Sequence, residues 1–169
     1  MKLKINTQLA RALPFLAAAL ACSGGEGVVD SVATIDDAKH INDAVSCATQ
    51  VVALEISTES EGIIERAGNT SCPGGQGEVW MDSLELTTET STLITTRVSF
   101  EACKATGVVL SGSIVVEQEA ESGGTQVTRS HAALSTSLGD CNVDLARQSS
   151  PTGIRTAEGT LCGFDIDNF

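Results

Sequence analysis

The chain has 169 residues, of which 22 are acidic and 10 are basic, so its formal net charge at pH 7 is -12. This balance disfavours binding to nucleic acids and to anionic membrane surfaces, because neutralisation of phosphates by basic side chains supplies most of the affinity in such complexes. The sequence contains four phenylalanines, one tryptophan and no tyrosine. Few aromatic rings are therefore present to stack on sugars or bases.

The N-terminal segment has the layout of a secretory signal peptide. Residues 1–11 contain three basic side chains and no acidic one, and residues 12–20 form an apolar run. A membrane-spanning helix needs roughly 20 apolar residues, and this run is about half as long. We therefore expect residues 1–21 to be removed on export, which takes away three of the ten basic residues and none of the acidic ones.

The expected cleavage site is followed by a cysteine. Ala19 and Ala21 satisfy the small-x-small rule of signal peptidase, and cleavage there leaves Cys22 as the first residue. The segment resembles the bacterial lipoprotein signal, in which a short Leu/Ala run precedes a cysteine whose thiol receives a diacylglyceryl group. Ala21 and Cys22 match that signal, and Ala19 occupies a position where the family usually has Leu. The resemblance implies that Cys22 is lipidated with chains such as palmitate, and two or more chains anchor a protein stably to a membrane.

Residues 22–33 are expected to form the lipidated cysteine and a flexible tether, since serine and glycines follow Cys22 and no apolar periodicity is present. Ser23 in place of Asp resembles the version of the signal that sends lipoproteins on to the outer membrane. The expected location is therefore the bacterial cell envelope, at the outer membrane. The alternative is a secreted or periplasmic protein in which Cys22 joins a disulfide.

Six cysteines set the redox chemistry of the chain. No Cys-x-x-Cys pair is present, so the spacings of zinc sites and of thioredoxin-type motifs are absent. In an exported chain the cysteines are expected to form disulfides. The candidates after Cys22 are Cys47, Cys72, Cys103, Cys141 and Cys162. If Cys22 carries lipid, these five allow two bridges and leave one thiol over, and if it does not, three bridges become feasible.

A helix is predicted to begin after Thr34. The hydroxyl of Thr34 is a suitable N-cap, Asp37 lies three residues further on, and acidic residues occupy the first turn. Apolar residues then recur every three or four positions, at Ile35, Ala38, Ile41, Ala44, Val45, Ala48, Val51 and Val52. Residues 51–58 also contain β-branched side chains that fit a strand after a shorter helix, so the end of the helix stays open.

From about residue 77 onward, short apolar-polar alternations are separated by polar turns, which is typical of an antiparallel sheet. Six strands are predicted near 77–87, 92–102, 108–118, 125–137, 141–148 and 154–166. Gly112 and Gly159 lie inside predicted strands and indicate a bend or a close backbone approach. We therefore predict an α+β fold in which residues 34–169 form a single domain, with one amphipathic helix and a curled antiparallel β-meander.

The meander places four cysteines toward the same end of the sheet. The final hairpin brings Cys141 nearly opposite Cys162, within the short Cα separation that a bridge requires, so this pair is the first choice. A bridge from Cys47 to Cys72 would then tie the helix to the sheet and leave Cys103 unpaired. A swapped scheme that uses Cys103 stays open, because connectivity cannot be read from sequence alone.

One internal stretch carries a second resemblance. The residues Phe100, Cys103, Gly107, Leu110, Gly112 and Ile114 are spaced as in β-rich segments of small bacterial envelope lipoproteins of unknown function. The resemblance implies an acylated N-terminus followed by a β-rich exported domain, and it supplies no catalytic residue.

We predict no catalytic, metal or cofactor site. His131 and Asp140 are not accompanied by the Gly-x-Ser-x-Gly elbow of hydrolases, and His131 is expected at a surface or edge position. His40 lies off the apolar stripe of the helix. A nucleophilic Cys103 beside His131 would need a reduced thiol in an oxidising compartment. The acidic groups at 117, 119, 121, 165 and 167 are expected to be solvated.

The leading interpretation is a non-enzymatic envelope lipoprotein with a structural or protein-interaction role and no nucleic-acid partner. The alternative is a carrier or chaperone that holds a lipid or another apolar ligand against the curled sheet. A cavity distinguishes the two, because a carrier would leave the inner sheet face uncovered around Val98, Leu110, Ile114 and Val116, whereas a filled core favours the first. An enzyme is the third and weakest interpretation.

Overall fold

The computed structural model describes residues 34–153 and 155–166. The predicted signal peptide, the lipidation site Cys22 and the tether lie outside the described residues. Within them, one helix lies against a large antiparallel sheet.

The helix α1 spans Ile35–Gln50 and begins at the predicted N-cap. The Thr34 hydroxyl accepts a hydrogen bond from the Asp37 backbone N–H at 3.1 Å, and the Asp37 carboxylate accepts one from the Thr34 backbone N–H at 2.8 Å. This reciprocal capping box satisfies two backbone donors that the first turn leaves without helical partners. The helix stops at Gln50, so the β-branched residues that follow belong to a loop and to the first strand.

The sheet has nine strands among the described residues, and each is antiparallel to the next in sequence order. They are β1 (Glu55–Ser60), β2 (Ile63–Ser71), β3 (Glu78–Thr87), β4 (Ser91–Ala105), β5 (Val108–Glu121), β6 (Gln126–Thr136), β7 (Gly139–Ser149), β8 (Arg155–Leu161) and β9 (Phe164–Asp165). The order confirms the predicted meander. The sheet is open, since β1 and β9 are not neighbours, and its curl stays a prediction.

The predicted number of six strands is wrong. The strands β1 and β2 precede residue 77: β1 overlaps residues 51–58, which were left open as a strand after a shorter helix, whereas β2 was missed. The predicted strand 154–166 is divided into β8 and β9. Cys162 and Gly163 have φ angles of +51° and +85° and make the turn between them.

Alternation along the strands creates two faces. The inner face, which faces α1, carries Val79 and Met81 in β3, and the outer face carries the intervening exposed Trp80 and Asp82. The buried side of α1 packs on the inner face through Ala38, Ile41, Ala44, Val45 and Ala48. Ile41 is almost completely buried, and burial of a side chain of this size contributes about 1.5–3 kcal/mol to stability.

A β-bulge changes which side chains of β4 point to the inner face of the sheet. The register with β5 shifts between Phe100 and Cys103, and Ala102 has a φ of +47°. Regular alternation would place Ala102 on the face of Val98 and Phe100, but it is exposed, and Cys103 takes the inward position with no exposed surface. The extra residue of the bulge reverses the alternation, so Cys103 enters the core.

Two glycines inside strands have the unusual backbone predicted from their positions. Gly112 in β5 and Gly159 in β8 have φ angles of +116° and +117°, and a Cβ atom on Gly159 would collide with the backbone oxygen of Asp144 in the neighbouring strand. Only glycine adopts such a φ without strain.

Comparison of Gly159→Ala with Gly139→Ala should separate the strain of a positive φ from the collision of the new Cβ atom with the neighbouring strand. Gly139 has a φ of +120° but nothing within 4 Å of its Cβ position, so its variant should lose about 1–3 kcal/mol of unfolding free energy from backbone strain alone. Gly159→Ala should lose more in urea denaturation, because strand pairing must also shift. Equal losses in the two variants would show that the close approach at Gly159 has no energetic consequence.

The capping box makes the stability of the helix sensitive to acid. The hydrogen bond from the Thr34 backbone, followed by that from its hydroxyl, lowers the pKa of Asp37. Since the pKa is lower in the folded state, the carboxylate contributes stability above its unfolded pKa, and that contribution disappears as the pH falls through its folded pKa.

We expect Asp37→Asn to be less stable than the wild type at pH 7 and to lose less additional stability on acidification below about pH 4. Urea denaturation at pH 7 and pH 3 measures both quantities. Asp36→Asn is the matched control, since Asp36 lies in the same first turn outside the capping box. A profile for Asp36→Asn that coincides with that of Asp37→Asn would refute the capping explanation.

Candidate interaction surface

The outer face of the sheet carries exposed apolar side chains in the first strands of the meander. The register places Ile63 in β2 opposite Leu86 in β3, and Leu86 opposite Leu93 in β4. Ile63 and Leu93 are 39% and 37% exposed. We call Ile63, Leu86 and Leu93 the apolar row. Three apolar side chains in adjacent strands form a continuous surface, since directly opposed Cβ atoms lie about 5 Å apart.

Trp80 lies on the same outer face toward the other end of β3. It is 47% exposed and stands opposite Asn69 and Ser99 in the neighbouring strands. Tryptophan is the side chain most enriched among residues that dominate protein interfaces, because a large apolar area is buried when a partner covers it.

Charged residues lie between Trp80 and the apolar row. Asp82 and Arg97 face each other in β3 and β4, and with neighbouring residues they line a depression of about 390 Å³. Strand pairing continues this line across the sheet from Arg97 to His131 in β6 and Asp144 in β7. His131 Nδ1 lies 3.2 Å from Asp144 Oδ1, and both side chains are more than half exposed. Exposed pairs of this kind contribute at most about 1 kcal/mol. The outer face therefore combines apolar side chains with charges of both signs.

The inner face is filled where a carrier would need space. Val98, Leu110, Ile114 and Val116 are each at most 5% exposed. Beyond this apolar region the inner face turns polar. Ser83 Oγ and Thr96 Oγ1 are 3.1 Å apart and buried, and Arg66 makes an ion pair of 2.9 Å with Glu85. These polar contacts could not be predicted from the sequence, because the partners are 13 and 19 residues apart.

The cysteines form two bridges within the described chain. Cys141 and Cys162 are bonded, with a Cα–Cα distance of 4.2 Å, in agreement with the first predicted pair. Cys72 is bonded to Cys103 at a Cα–Cα distance of 5.5 Å. The predicted pair of Cys47 with Cys72 and the predicted unpaired Cys103 are therefore wrong.

The physical reason is the bulge in β4, which turns Cys103 inward beside the loop that contains Cys72. That loop is tied to β4 by the hydrogen bond from the Gly74 N–H to the Lys104 carbonyl, at 2.8 Å. No cysteine among the described residues is free, so the surplus thiol expected for a lipidated Cys22 is not found among them, and Cys103 is unavailable as a nucleophile.

The remaining candidate residues do not converge on one site. His131 is exposed and pairs with Asp144, whereas Asp140 accepts a hydrogen bond from Ser135. His40 is half-buried, and its Nε2 lies 2.8 Å from the Thr106 carbonyl oxygen. This contact ties α1 to the turn between β4 and β5, and the sequence could not indicate it because the two residues are 66 positions apart.

The predicted acidic groups also remain separate. Glu117, Glu119 and Glu121 alternate along β5, and Glu117 stands opposite Arg129 in β6. Asp165 lies in β9, while Asp167 is not among the described residues. Residues 34–153 and 155–166 contain no group of three His, Cys, Asp or Glu side chains placed to hold a metal ion.

The comparisons with known proteins supply no relative. No family model matches the chain, and no curated protein or solved structure is detectably similar to it. In the part of the chain that the structure describes, no helix is long and apolar enough to cross a membrane.

Removal of either bridge should destabilise the fold by about 3–4 kcal/mol, because each closes a loop of more than 20 residues in the unfolded chain. The double variant Cys72→Ala/Cys103→Ala should lose slightly more than Cys141→Ala/Cys162→Ala, since its loop is longer. Urea denaturation of the oxidised proteins measures the difference. A loss below about 1 kcal/mol for both variants would contradict a stabilising role of the bridges.

Proposed function

We propose that the chain is an exported protein of the cell envelope that acts through contacts of its outer sheet face and not through catalysis. The observation that carries this proposal is the burial of Val98, Leu110, Ile114 and Val116. Because α1 and the strands fill the inner face there, the outer face is the sheet surface available to a partner.

Export is supported by the two bridges between Cys72 and Cys103 and between Cys141 and Cys162, since disulfides persist in oxidising compartments. The signal-like segment 1–21 supplies the route. The lipid anchor on Cys22 is a separate prediction from the sequence and is not required for export.

A role in protein contact is supported by the composition of the outer face. Trp80 and the apolar row are exposed on either side of a charged region, a combination that offers a partner both apolar area and polar contacts that fix its orientation. The same burial of the inner face weighs against a carrier of lipid, which needs an open apolar cavity.

The proposal is tested by binding of the intact mature protein to purified envelopes of the cells that produce it. The double variant Trp80→Ala/Leu93→Thr should bind at least about tenfold more weakly in co-sedimentation, since it removes the exposed tryptophan and one member of the apolar row. Trp80→Phe is the matched control and should stay within about twofold of the wild type, because a large aromatic ring remains.

Circular dichroism and thermal unfolding of the variants should match those of the wild type, because the altered side chains lie on the exposed face. Wild-type binding that the double variant leaves unchanged, or a wild type that does not bind envelopes at all, would refute the proposed role of the outer face.

A further inference from the structure

The outer face of strands β2 to β5 carries far more negative than positive charge. Alternation along the strands places seven carboxylate side chains on this face, and all except the half-buried Glu117 are exposed. They are Glu65, Glu78, Asp82, Glu101, Glu117, Glu119 and Glu121. Of the three basic residues in these strands, Arg66 is paired with Glu85 on the inner face, so only Arg97 and Lys104 are left to offset the seven acids.

These carboxylates are not neutralised within the described chain. None of the seven forms an ion pair with another described residue, and Glu78 in β3 stands directly opposite Glu101 in β4. Like charges that face each other across two strands destabilise a sheet. Within residues 34–153 and 155–166 no three His, Cys, Asp or Glu side chains are placed to share a metal ion. The spacing of the carboxylates instead matches positive charges distributed along a polypeptide.

Trp80 lies among three of these carboxylates. Glu78 and Asp82 flank it along β3, each about 7 Å away, and Glu101 lies diagonally across in β4. Trp80 is 47% exposed and can therefore accept a positive side chain on the face of its ring. Arginine fits best, since its planar guanidinium stacks on an aromatic ring and also binds a carboxylate through two parallel hydrogen bonds.

The apolar row lies further along the same strand. Trp80 and Leu86 both lie on the outer face of β3, about 20 Å apart, a distance that an extended segment of about seven residues spans. We propose that the outer face binds a basic segment of its protein partner, in which an arginine stacks on Trp80 between the carboxylates and apolar side chains cover Leu86 and Leu93. This inference rests on the proposed function and adds the chemistry of the partner.

The charge of the chain favours this partner over a second copy of the same protein. The whole chain has a formal net charge of -12, and two identical acidic faces would repel each other. A basic segment is attracted by the same charges, and this attraction also accelerates its association with the face.

The first test compares two charge-matched double variants of the intact mature protein in co-sedimentation with purified envelopes of the cells that produce it. Glu78→Gln/Glu101→Gln should bind about five- to tenfold more weakly than the wild type. Its thermal unfolding temperature should be no lower than that of the wild type, because two opposed like charges are removed. Glu59→Gln/Glu158→Gln is the matched control, since it removes two exposed charges in β1 and β8, and it should stay within about twofold of the wild type because salt screens distant charges.

The second test identifies the arginine of the partner. Envelopes are treated with phenylglyoxal, which modifies arginine side chains, and are then freed of the reagent. They should bind the wild type at least about tenfold more weakly, whereas acetylation of envelope lysines should weaken binding less. Trp80→Leu should bind about fivefold more weakly than Trp80→Phe, because leucine is apolar but lacks the aromatic ring that attracts a guanidinium group.

Unchanged binding of Glu78→Gln/Glu101→Gln, or of the wild type to arginine-modified envelopes, would overturn the basic partner. In that case a loss of binding in Trp80→Ala/Leu93→Thr would leave the proposed function intact, whereas a wild type that does not bind envelopes would overturn both. Dimerisation of the free protein that Trp80→Leu abolishes, measured by analytical ultracentrifugation, would assign the outer face to a second copy and would also overturn this inference.

Discussion

The register between consecutive strands is the constraint on which the rest of the structure depends. A side chain alternates between the two faces at every residue, so a slip by one position would move the whole core set of a strand to the outer face. One transverse row on the inner face runs through six strands without interruption, at Gly68, Met81, Val98, Ile114, Ala132 and Val143. The helix α1 packs on the middle of this row, at β3, β4 and β5, where Met81, Val98 and Ile114 are buried from water.

Two local irregularities of the sheet lie at the end that carries the bonded cysteines. The bulge after Phe100 adds one residue to β4 and turns Cys103 inward to Cys72. The positive φ at Cys162 ends β8 and leaves that cysteine beside Cys141. Both bridges thus lie where the ladder is irregular. Covalent closure stabilises an end of the sheet at which regular hydrogen bonding stops, since each bridge restricts the unfolded chain.

The division of the two sheet faces links the fold to the proposed function. The inner face is covered by α1 and filled, and its polar part is satisfied by contacts such as the one between Ser83 and Thr96. The outer face keeps a tryptophan and an apolar row in contact with solvent. With a net charge of -12 for the whole chain, self-association and binding to other acidic surfaces are disfavoured by repulsion. The proposed partner is therefore a protein that covers apolar area without adding negative charge.

The sequence by itself determined the features that depend on neighbouring residues. The capping pattern of Thr34 and Asp37 was sufficient to place the start of α1, and the period-two alternation was sufficient for β3 to β7 and for their order. The disulfide between Cys141 and Cys162 could be predicted because one hairpin joins the strands that carry them. Export and the chemical state of Cys22 are predictions from the same local signals.

Only the tertiary structure decided the features that depend on residues far apart in the chain. The strand β1 lies at the edge of the sheet and is exposed along its whole length, and β2 alternates only between exposed and half-buried positions, so neither strand carries a fully buried apolar row. The bridge from Cys72 to Cys103 depends on a bulge whose position no residue type marks. The exposure of Trp80, and with it the candidate surface, follows from which face of β3 receives the helix. Packing across the sheet selects that face, and packing is a property of the whole chain rather than of any segment.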